Sequence, residues 1–375
     1  MARIAVNTRL LQDGKLEGIG WFTYETLKRV VSSHPEHEFL FIFDRPFSDK
    51  FIFANNVKAI YAGPPTRHVL LFIPWFEFVI PRLLRKHKID LFLSPDGHIP
   101  LRGKTPTIAV IHDINFYHYP EQVPKLVRMY YNYFFPRIAK KATKIVTVSE
   151  FTRSDLVKSY GVDRLKIDVA YNGCNEIFSP LTGDEKASVR KLFSNGEDYF
   201  LFVGLIIPRK NLRNLIEAYF KFRDSGSKPV KLLVVGEKKW WSSKNQEYVD
   251  KSEYKNDVIF LGRQSAQDLH KLVASALALT FVPLFEGFGI PIVEAFASGT
   301  PVITSNVTSL PEVAGDAALL VNPLDTDEIS EAMKKIVDQP ELREMLITKG
   351  LERKKNFSWD KTASVLWSSI SQLLG

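Results

Sequence analysis

Residues 277–299 read LALTFVPLFEGFGIPIVEAFASG, and this stretch decides the fold. An apolar, β-rich run leads into a loop with two glycines, and a short apolar helix follows. Pro291 suits the first position of that helix, and Gly299 suits its end. The stretch therefore predicts a strand, a loop and a helix in succession, which is the repeating unit of an α/β fold with a parallel sheet.

Two glutamates in this stretch are candidate ligand-binding residues. Glu286 precedes the predicted helix, and Glu294 lies about one turn inside it. The glycines between them let backbone N–H groups approach a ligand closely, and a helix N-terminus attracts phosphate. A carboxylate held nearby can accept hydrogen bonds from sugar hydroxyls. The alternative is that Glu286 is a loop charge and Glu294 belongs to a solvated helix face, but the strand–loop–helix setting favours a ligand site.

The same alternation of strands and helices extends outward over the chain. Seven β-rich runs precede residue 171 and six more follow residue 198, while residues 171–198 are rich in turn-forming Asn, Gly and Pro. We therefore predict two doubly wound α/β domains, residues 1–178 and 179–357. Because such sheets bind ligands at the carboxyl ends of their strands, we expect the site in a cleft lined by strand-to-helix loops of both domains.

The run EGFGIPIVEAFASGTPVITS resembles the signature of the family 4 glycosyltransferases, with seven residues between its two glutamates. Residues 308–323, TSLPEVAGDAALLVNP, resemble the loop and strand that follow the signature, and residues 17–20, EGIG, resemble the family's glycine loop. The resemblance implies the GT-B fold, in which two Rossmann-like domains face a central cleft. It also implies an acceptor-side first domain, a donor-binding second domain, and a C-terminal helix, here about 358–375, that packs back on the first domain.

The resemblance assigns roles to the residues of this signature. It implies that Glu294 binds the ribose hydroxyls of the donor nucleotide. It also implies that Glu286 is catalytic and faces the donor sugar. The backbone of Gly287, Phe288 and Gly289 is then expected to lie against the donor sugar and its phosphates.

Two adjacent cations, Arg209 and Lys210, follow the apolar run YFLFV in the pattern Gly204-x-x-x-Pro-Arg-Lys-Asn. Cations at a strand end, just before a helix, suit a diphosphate, whereas a solvent-exposed basic turn is the alternative. The family resemblance implies that Arg209 and Lys210 form the diphosphate clamp of the donor site.

The first domain contributes two further candidates. Gly18 and Gly20 lie between the first strand and the next helix, where a plain turn is the alternative. The resemblance implies that their backbone closes over the donor phosphates. His112 ends the strand TPTIAVI, and a lone His in such a place is more often structural. The resemblance implies that it contacts the donor sugar, with its carbonyl near the reacting carbon, so we predict a catalytic positioning residue and not a general base.

Three polar residues are candidates for the acceptor side. Asp96 and His98 follow the strand DLFLS, and Asp113 follows His112. All three come directly after predicted strands, where loops of a doubly wound sheet reach the ligand.

The net charge of +8 is confined to the first half of the chain. Residues 1–178 hold 25 Lys/Arg and 17 Asp/Glu, and the remainder holds 25 of each. A nucleic-acid patch and an anionic membrane surface are two interpretations of such an excess, and we predict the membrane surface and no nucleic acid. Residues 69–88, VLLFIPWFEFVIPRLLRKHK, are too interrupted to span a bilayer. They predict either a segment that lies on a membrane surface or a packed helix near 75–87 with a solvated basic end.

A single cysteine, Cys174, excludes a disulfide framework and a cysteine-rich zinc site, and it predicts a cytoplasmic protein. We expect Cys174 to be a small buried filler and not a nucleophile. Neither GxGxxG nor GxxxxGK[ST] occurs, which disfavours a nicotinamide dehydrogenase and a P-loop kinase. Asp325-Thr326-Asp327 has metal-ligand spacing, but its place before a helix favours capping. We therefore predict no catalytic metal and no cofactor besides the nucleotide-sugar co-substrate.

Taken with the resemblance, these features predict a retaining, metal-independent hexosyltransferase. The run SNVTSLPEVAGDAALLVNP is most like bacterial mannosyltransferases that use GDP-mannose, and we expect a glycan or lipid-linked acceptor at the inner face of the membrane. One alternative is a GT-B-type sugar-nucleotide epimerase or hydrolase, against which the glutamate pair argues. Another is a non-catalytic sugar-nucleotide-binding protein, against which the intact Glu286, Arg209 and Lys210 argue.

Overall fold

The structure, a computed structural model, describes residues 1–226 and 228–375 and divides the chain into two units. The first unit comprises Met1–Gly173 together with Ser358–Gly375, and the second comprises Cys174–Phe357. Each unit is built on one parallel sheet, as the alternation of strands and helices predicts.

The first sheet has seven parallel strands in the order β3-β2-β1-β4-β5-β6-β7. The strands are β1 (Arg3–Asn7), β2 (Glu38–Phe43), β3 (Val57–Tyr61), β4 (Leu91–Ser94), β5 (Thr107–Ile111), β6 (Lys144–Thr147) and β7 (Ile167–Val169). Every residue of β4 and β5 is buried. Such continuous burial is typical of central strands that are covered on both faces of a parallel sheet.

Six helices connect these strands. They are α1 (Gly18–Ser33), α2 (Phe72–Pro74), α3 (Ile80–Lys86), α4 (Asn115–His118), α5 (Lys125–Lys141) and α6 (Glu150–Tyr160). Ser149 caps α6, because its Oγ accepts the Thr152 N–H at 3.0 Å. Serine is one of the residues that helix N-termini prefer at this position.

The helix predicted near residues 75–87 is present over Trp75–Lys86, but it is not a regular α-helix. A 3₁₀ turn, Val69–Leu71, leads into α2, a π-helical turn follows at Trp75–Val79, and α3 ends the segment. Pro81 has no N–H to donate to the preceding turn, so a regular ladder of α-helical hydrogen bonds cannot run through this segment. Trp75 and Phe76 are buried, and the segment therefore packs into the core of the first unit.

The second sheet has six parallel strands in the order β10-β9-β8-β11-β12-β13. The strands are β8 (Tyr199–Val203), β9 (Lys231–Val235), β10 (Val258–Gly262), β11 (Ala278–Phe281), β12 (Val302–Ser305) and β13 (Leu319–Val321). The helices of this unit are α7 (Gly183–Ser194), α8 (Leu212–Asp224), α9 (Ser243–Asp250), α10 (Ala266–Ser275), α11 (Ile290–Ala297), α12 (Leu310–Ala314), α13 (Thr326–Asp338) and α14 (Pro340–Arg353).

The interpretation of residues 171–198 as turn and linker is wrong for 12 of these 28 residues, because α7 occupies residues 183–194. Thr182 and Glu185 form a capping box at the start of α7. Asn195 ends the helix in the left-handed conformation. The turn-forming residues thus mark the two ends of a helix and not an extended connection.

The last helix, α15 (Trp359–Leu374), belongs to the first unit. The Arg29 guanidinium on α1 donates to Asp360 at 2.6 Å, and the Ser369 hydroxyl donates to Asp168 at 2.6 Å. These bonds join the end of the chain to helices and strands that come from its first half.

Strand order positions the candidate residues. It reverses between β1 and β4 in the first sheet and between β8 and β11 in the second. Loops that leave two such strands diverge and open a crevice at the carboxyl edge of the sheet. In the second unit, Arg209 and Lys210 follow β8 and Glu286 follows β11.

Candidate functional site

Arg209, Lys210 and Glu286 come together at the crevice of the second unit. The two cations lie in a 3₁₀ turn, Pro208–Lys210. Lys210 Nζ makes an ion pair with Glu286 Oε1, and Arg209 Nη1 lies 3.7 Å from the same oxygen. Arg209 Nη1 also donates to the Phe285 carbonyl at 3.2 Å. The turn after β8 and the loop after β11 therefore hold each other in place.

This cluster has the electrostatics of an anion site. The side chains of Arg209, Lys210 and Glu286 are each less than one-fifth exposed, so their charges are weakly screened by water. One carboxylate, Glu286, faces both cations. Charge-assisted hydrogen bonds from such cations to phosphate oxygens are among the stronger polar interactions in proteins.

Asn211 fixes the turn that carries the two cations. Its backbone is in the left-handed conformation, with φ of 63°. Its buried side-chain amide donates to the carbonyls of Val282 at 2.9 Å and Pro323 at 2.7 Å. The sequence shows Asn211 beside the cations, but only the fold brings its two acceptors to it.

The loop Glu286–Gly289 is held in shape from a second side. Gly289 has a φ of +99°, and a Cβ there would lie 2.8 Å from Leu310 Cδ2. The Glu286 N–H donates to Thr308 Oγ1 at 3.4 Å, and the Ser309 hydroxyl donates to the Glu286 carbonyl at 2.9 Å. Thr308 and Ser309 were not predicted as site residues, and the left-handed backbone of Thr308, with φ of 59°, could not be read from its sequence.

Gly287, Phe288 and Gly289 lie between the cation cluster and α11. All three are buried, and Gly289 is the residue that precedes the helix. In the first turn of α11, Pro291 has no N–H and the Ile292 N–H donates to the Gly289 carbonyl at 3.0 Å, so the Ile290 N–H is the donor that the helix start offers on the side of this loop. Such a helix start favours a negatively charged ligand.

Glu294 occupies the second turn of α11 and is half-buried. Withdrawal of its carboxyl from water raises its pKa to about 7. Within residues 1–226 and 228–375, no cation lies at ion-pair distance from it. A carboxylate held in this way has its oxygens available to accept from a ligand's hydroxyl groups.

Cys174 lies near Glu294 and is buried. Burial raises the pKa of its thiol, so the sulfur stays protonated at neutral pH. This agrees with the prediction that Cys174 is a filler and not a nucleophile.

His112 lies at the carboxyl end of β5 in the first unit. Its Nε2 lies 2.8 Å from the Pro95 carbonyl, and because a carbonyl only accepts, Nε2 carries the proton. Burial lowers the pKa of His112, which favours the neutral ring. Nδ1 is then a lone-pair acceptor. The ring also packs edge-on against Phe22 at 5.0 Å, which fixes its orientation.

Asp96 and His98 belong to a buried network in the first unit. Asp96 accepts from Asn7 Nδ2 at 2.8 Å and makes an ion pair with Arg9. Arg9 is 7% exposed and its guanidinium lies 4.4 Å from the centre of the Phe72 ring. The bonds to Asn7 and Arg9 occupy both carboxylate oxygens of Asp96. Arg9 was not predicted as a site residue, because one arginine in a loop gives no sequence signal of burial.

The remaining predicted residues take local roles. Asp113 Oδ1 accepts the Asn115 N–H at 2.9 Å and so closes the turn after His112. Gly18 is the first residue of α1, so Gly18 and Gly20 lie in the first helical turn and not in a loop before the helix. A Cβ on Gly20 would lie 3.1 Å from the Leu10 carbonyl oxygen.

In the part of the chain that the structure describes, no group of three or more His, Cys, Asp or Glu is placed to hold a metal ion. Across the same residues, no helix is both long enough and apolar enough to cross a bilayer. Asp325 accepts the N–H groups of Asp327 and Glu328 and caps α13, as predicted.

Both halves of the chain match models of glycosyltransferase families. Residues 17–176 match the model described as Glycosyltransferase Family 4. Residues 184–353 match the model described as Glycosyl transferases group 1. The second match contains Arg209, Lys210, Glu286 and Glu294.

Curated relatives and solved structures agree with these matches. The chain is 29% identical to O-antigen chain mannosyltransferase B of Escherichia coli over 92% of this chain and 93% of that protein. It is 34% identical to O-antigen chain mannosyltransferase RfbU of Salmonella typhimurium over 64% of this chain and 63% of that protein. The crystal structure of WaaG, a glycosyltransferase involved in lipopolysaccharide biosynthesis, superposes with a TM-score of 0.75 at 18% identity, over 96% of this chain and 97% of that one. The last comparison supports the two-sheet fold alone.

Proposed function

We propose that this chain, which belongs to the family 4 glycosyltransferases, transfers a mannosyl group from GDP-mannose to a hydroxyl of a glycan or lipid-linked acceptor. The observation that carries the proposal is the grouping of Arg209, Lys210 and Glu286 beside a glycine loop and the N-terminus of α11. That grouping supplies donors for a diphosphate, and Glu294 supplies an acceptor for sugar hydroxyls.

The chemical problem is the departure of a nucleoside diphosphate. Negative charge develops on the phosphate oxygen as the bond to the anomeric carbon breaks, while the sugar becomes cationic. Arg209, Lys210 and the Ile290 N–H at the start of α11 would stabilise that charge, because fixed donors need little rearrangement during the reaction. The ion pair with Glu286 holds Lys210 in position before the donor arrives.

His112 would position the donor sugar. Its Nε2–H is committed to the Pro95 carbonyl, so Nδ1 can accept a hydrogen bond from a sugar hydroxyl. Because burial lowers the pKa of His112, the ring remains neutral at physiological pH and keeps that lone pair. These properties support a positioning role.

We propose that transfer retains the anomeric configuration and uses no catalytic metal. In this scheme the acceptor hydroxyl attacks on the face that the leaving group vacates, and the departing phosphate oxygen takes its proton. Cations and N–H dipoles take the place that a divalent metal fills in other transferases. Support comes from the family resemblance and from the two cations that the fold groups beside the glycine loop.

The donor and the acceptor are proposed from the relatives. Two relatives are named as O-antigen chain mannosyltransferases, which supports mannose as the sugar and a cell-surface glycan as the product. We further propose that the acceptor is carried on a lipid at the inner face of the membrane, where the positive first half would favour an anionic surface. We propose a cytoplasmic protein that docks peripherally there.

One assay separates this proposal from its alternatives. Purified protein is incubated with GDP-mannose, UDP-glucose or ADP-glucose, with and without a lipid-linked glycan acceptor, and product linkage is determined by NMR. We expect transfer from GDP-mannose only when acceptor is present, with the donor's anomeric configuration in the product. Sugar release that needs no acceptor would indicate a hydrolase, and donor binding without consumption would indicate a binding protein.

A further inference from the structure

A basic recess lies in the first unit at the start of β5, the opposite end of that strand from His112. It is bordered by α3, the turn before it, and residues 100–105, and it has a volume of about 510 Å³. That volume is in the range of small-ligand pockets. Five cations line it: Arg82, Arg85, Arg102, Lys104 and Lys141.

These five cations converge without anionic partners. Among residues 1–226 and 228–375, no carboxylate lies within ion-pair distance of any of them. The only carboxylate at the recess, Glu77, accepts the Leu101 N–H at 2.9 Å and so fastens residues 100–105 to the helical segment. Gathering unpaired like charges is unfavourable unless an anion is bound, and guanidinium groups match the geometry of phosphate.

Positive charge is concentrated around this recess. Residues 69–88, 100–105 and 125–144 together contain twelve Lys/Arg and one carboxylate, Glu77. The other residues up to 178 contain thirteen Lys/Arg and sixteen carboxylates. The whole positive excess of the first half therefore belongs to this one group of segments.

Exposed apolar side chains adjoin the recess. Phe78 is 55% exposed at its rim, and the Arg102 guanidinium lies 5.0 Å from the centre of its ring. Leu70 and Ile73 are exposed on the same run. On α5, the exposed Leu126, Met129 and Tyr133 follow the spacing of one helical stripe.

The two apolar groups lie side by side. The Phe72 ring, on the run that carries Ile73, packs edge-on against Tyr130 of α5 at 5.5 Å. The outer surface of α2, the π turn and α5 thus combines aliphatic and aromatic side chains with neighbouring cations. This combination is typical of protein surfaces that rest in the headgroup region of a membrane.

We propose that the basic recess binds the phosphate of an anionic phospholipid headgroup, while Phe78 and the exposed side chains of α5 enter the acyl boundary. The inference rests on the proposed action at a membrane-borne acceptor and names the surface that docks. A nucleic acid would use the cations but would leave the aliphatic side chains in water, so lipid is the occupant that accounts for both features.

The test is sedimentation with phosphatidylglycerol vesicles, using phosphatidylcholine vesicles as the uncharged reference. The test variant is Arg85→Gln/Arg102→Gln/Lys104→Gln. The matched control, Lys28→Gln/Lys58→Gln/Lys158→Gln, removes the same charge from exposed positions elsewhere in the first unit. Each basic residue near an anionic surface is worth about 1 kcal/mol, so we expect the test variant to lose roughly a hundredfold in vesicle affinity and the control severalfold at most.

A second variant, Phe78→Ser, tests insertion. It should weaken binding to phosphatidylglycerol vesicles without affecting the binding of soluble glycerol phosphate. Equal loss in the two triple variants would show that net charge alone drives binding and would overturn the proposal. So would tighter binding to an oligonucleotide than to vesicles, or vesicle binding that Phe78→Ser leaves unchanged.

GDP binding, measured on the same preparations, separates this inference from the proposed function. The test variant should bind GDP like the wild type, since the recess belongs to the other unit from Arg209. If wild type fails to bind any nucleotide, the proposed function fails. If GDP binds but the vesicle result is negative, only the docking inference fails.

Discussion

Glu286 shows how a residue can hold a binding site ready before its ligand is present. Its carboxylate pairs with Lys210 and lies 3.7 Å from Arg209, so it balances part of the charge that a diphosphate would otherwise meet. The same pairing keeps both cations in one geometry. Ligand phosphate and Glu286 therefore compete for Lys210, so replacing Glu286 should change the affinity for a diphosphate.

We predict that Glu286→Gln raises the affinity for GDP and lowers the rate of turnover. Without the carboxylate, the cations attract phosphate more strongly, so the affinity for GDP should rise severalfold, within the ~1.5–3 kcal/mol of a hydrogen bond to a charged group. Turnover with a sugar donor should fall, because the family resemblance implies that Glu286 faces the sugar. Calorimetric titration with GDP and steady-state rates measure the two effects, and loss of GDP affinity would contradict this role.

Glu294 should make stability depend on pH. Its pKa is raised from 4.5 to about 7 in the folded state, so the ionised form is disfavoured by folding. The penalty is absent below pH 4.5, grows between pH 4.5 and 7 and is complete above pH 7, where it amounts to about 3 kcal/mol. We predict that Glu294→Gln leaves the free energy of unfolding unchanged at pH 4.5 and raises it by that amount at pH 8.

Urea unfolding at the two pH values measures this effect. The control is Glu331→Gln, an exposed glutamate on α13 of the same unit, which should show no such pH dependence. Glu294→Gln should also weaken GDP binding, since an amide accepts fewer hydrogen bonds than a carboxylate. A stabilisation equal at both pH values would mean that Glu294 is not withdrawn from water.

Some residues of the site could be predicted from the sequence and others could not. The glutamates and cations could be identified because they follow apolar strands in a recognisable pattern. Arg9, Asn211 and Thr308 could not, because their roles depend on acceptors or backbone angles that only the fold supplies. Arg9, for instance, contacts Thr66, which lies 57 residues further along the chain.

Among the elements of the site, the loop and helix after β11 should tolerate amino-acid substitution least. Gly289 joins them in a left-handed conformation against Leu310. We predict that Gly289→Ala lowers the free energy of unfolding by about 1–2 kcal/mol through backbone strain and reduces GDP affinity several-fold.

The matched control for this prediction is Gly183→Ala. Gly183 begins α7, has an ordinary backbone conformation and would place its Cβ in open space. Urea unfolding and GDP titration should show little change in that variant. If both variants bind GDP as wild type does, the shape of the loop is not important for the donor.

Element type was easier to predict than element boundaries. Most strands and long helices agree with the sequence pattern, because apolar periodicity reports burial directly. The pattern failed at α7, whose flanking Pro, Gly and Asn residues were interpreted as a linker. Near residues 75–87 it predicted the helix but not the π-helical turn, Trp75–Val79, with which that helix begins. In both places, local turn residues and prolines obscured the periodic signal.

For the whole molecule, strand–helix alternation predicted two parallel sheets. The family resemblance added the expectation of the GT-B fold. The order of strands could not be read from periodicity, since any doubly wound sheet would give the same pattern. The reversal between β8 and β11 nevertheless explains why the cations and Glu286, 76 or more residues apart in the chain, meet at one edge.

We predict that the whole molecule transfers its sugar without a metal ion. If Arg209, Lys210 and the N–H at the start of α11 carry the charge of the leaving group, transfer should proceed at full rate in excess EDTA. Initial rates with and without EDTA, and with added Mg²⁺ or Mn²⁺, provide the measurement. Strict dependence on added metal would show that the protein's own donors are insufficient.

We propose above all that the second unit binds a nucleoside diphosphate through Arg209, Lys210 and the Glu286–Gly289 loop. The most direct test is thermal unfolding of wild type and of Arg209→Ala with GDP, UDP and ADP. At one hundred times its dissociation constant, a nucleotide should stabilise the wild type by about 2.7 kcal/mol, and GDP should reach this effect at the lowest concentration. Arg209→Ala should need about tenfold or more GDP for the same shift. An unchanged response of Arg209→Ala, or no response of wild type to any of the three, would contradict the account.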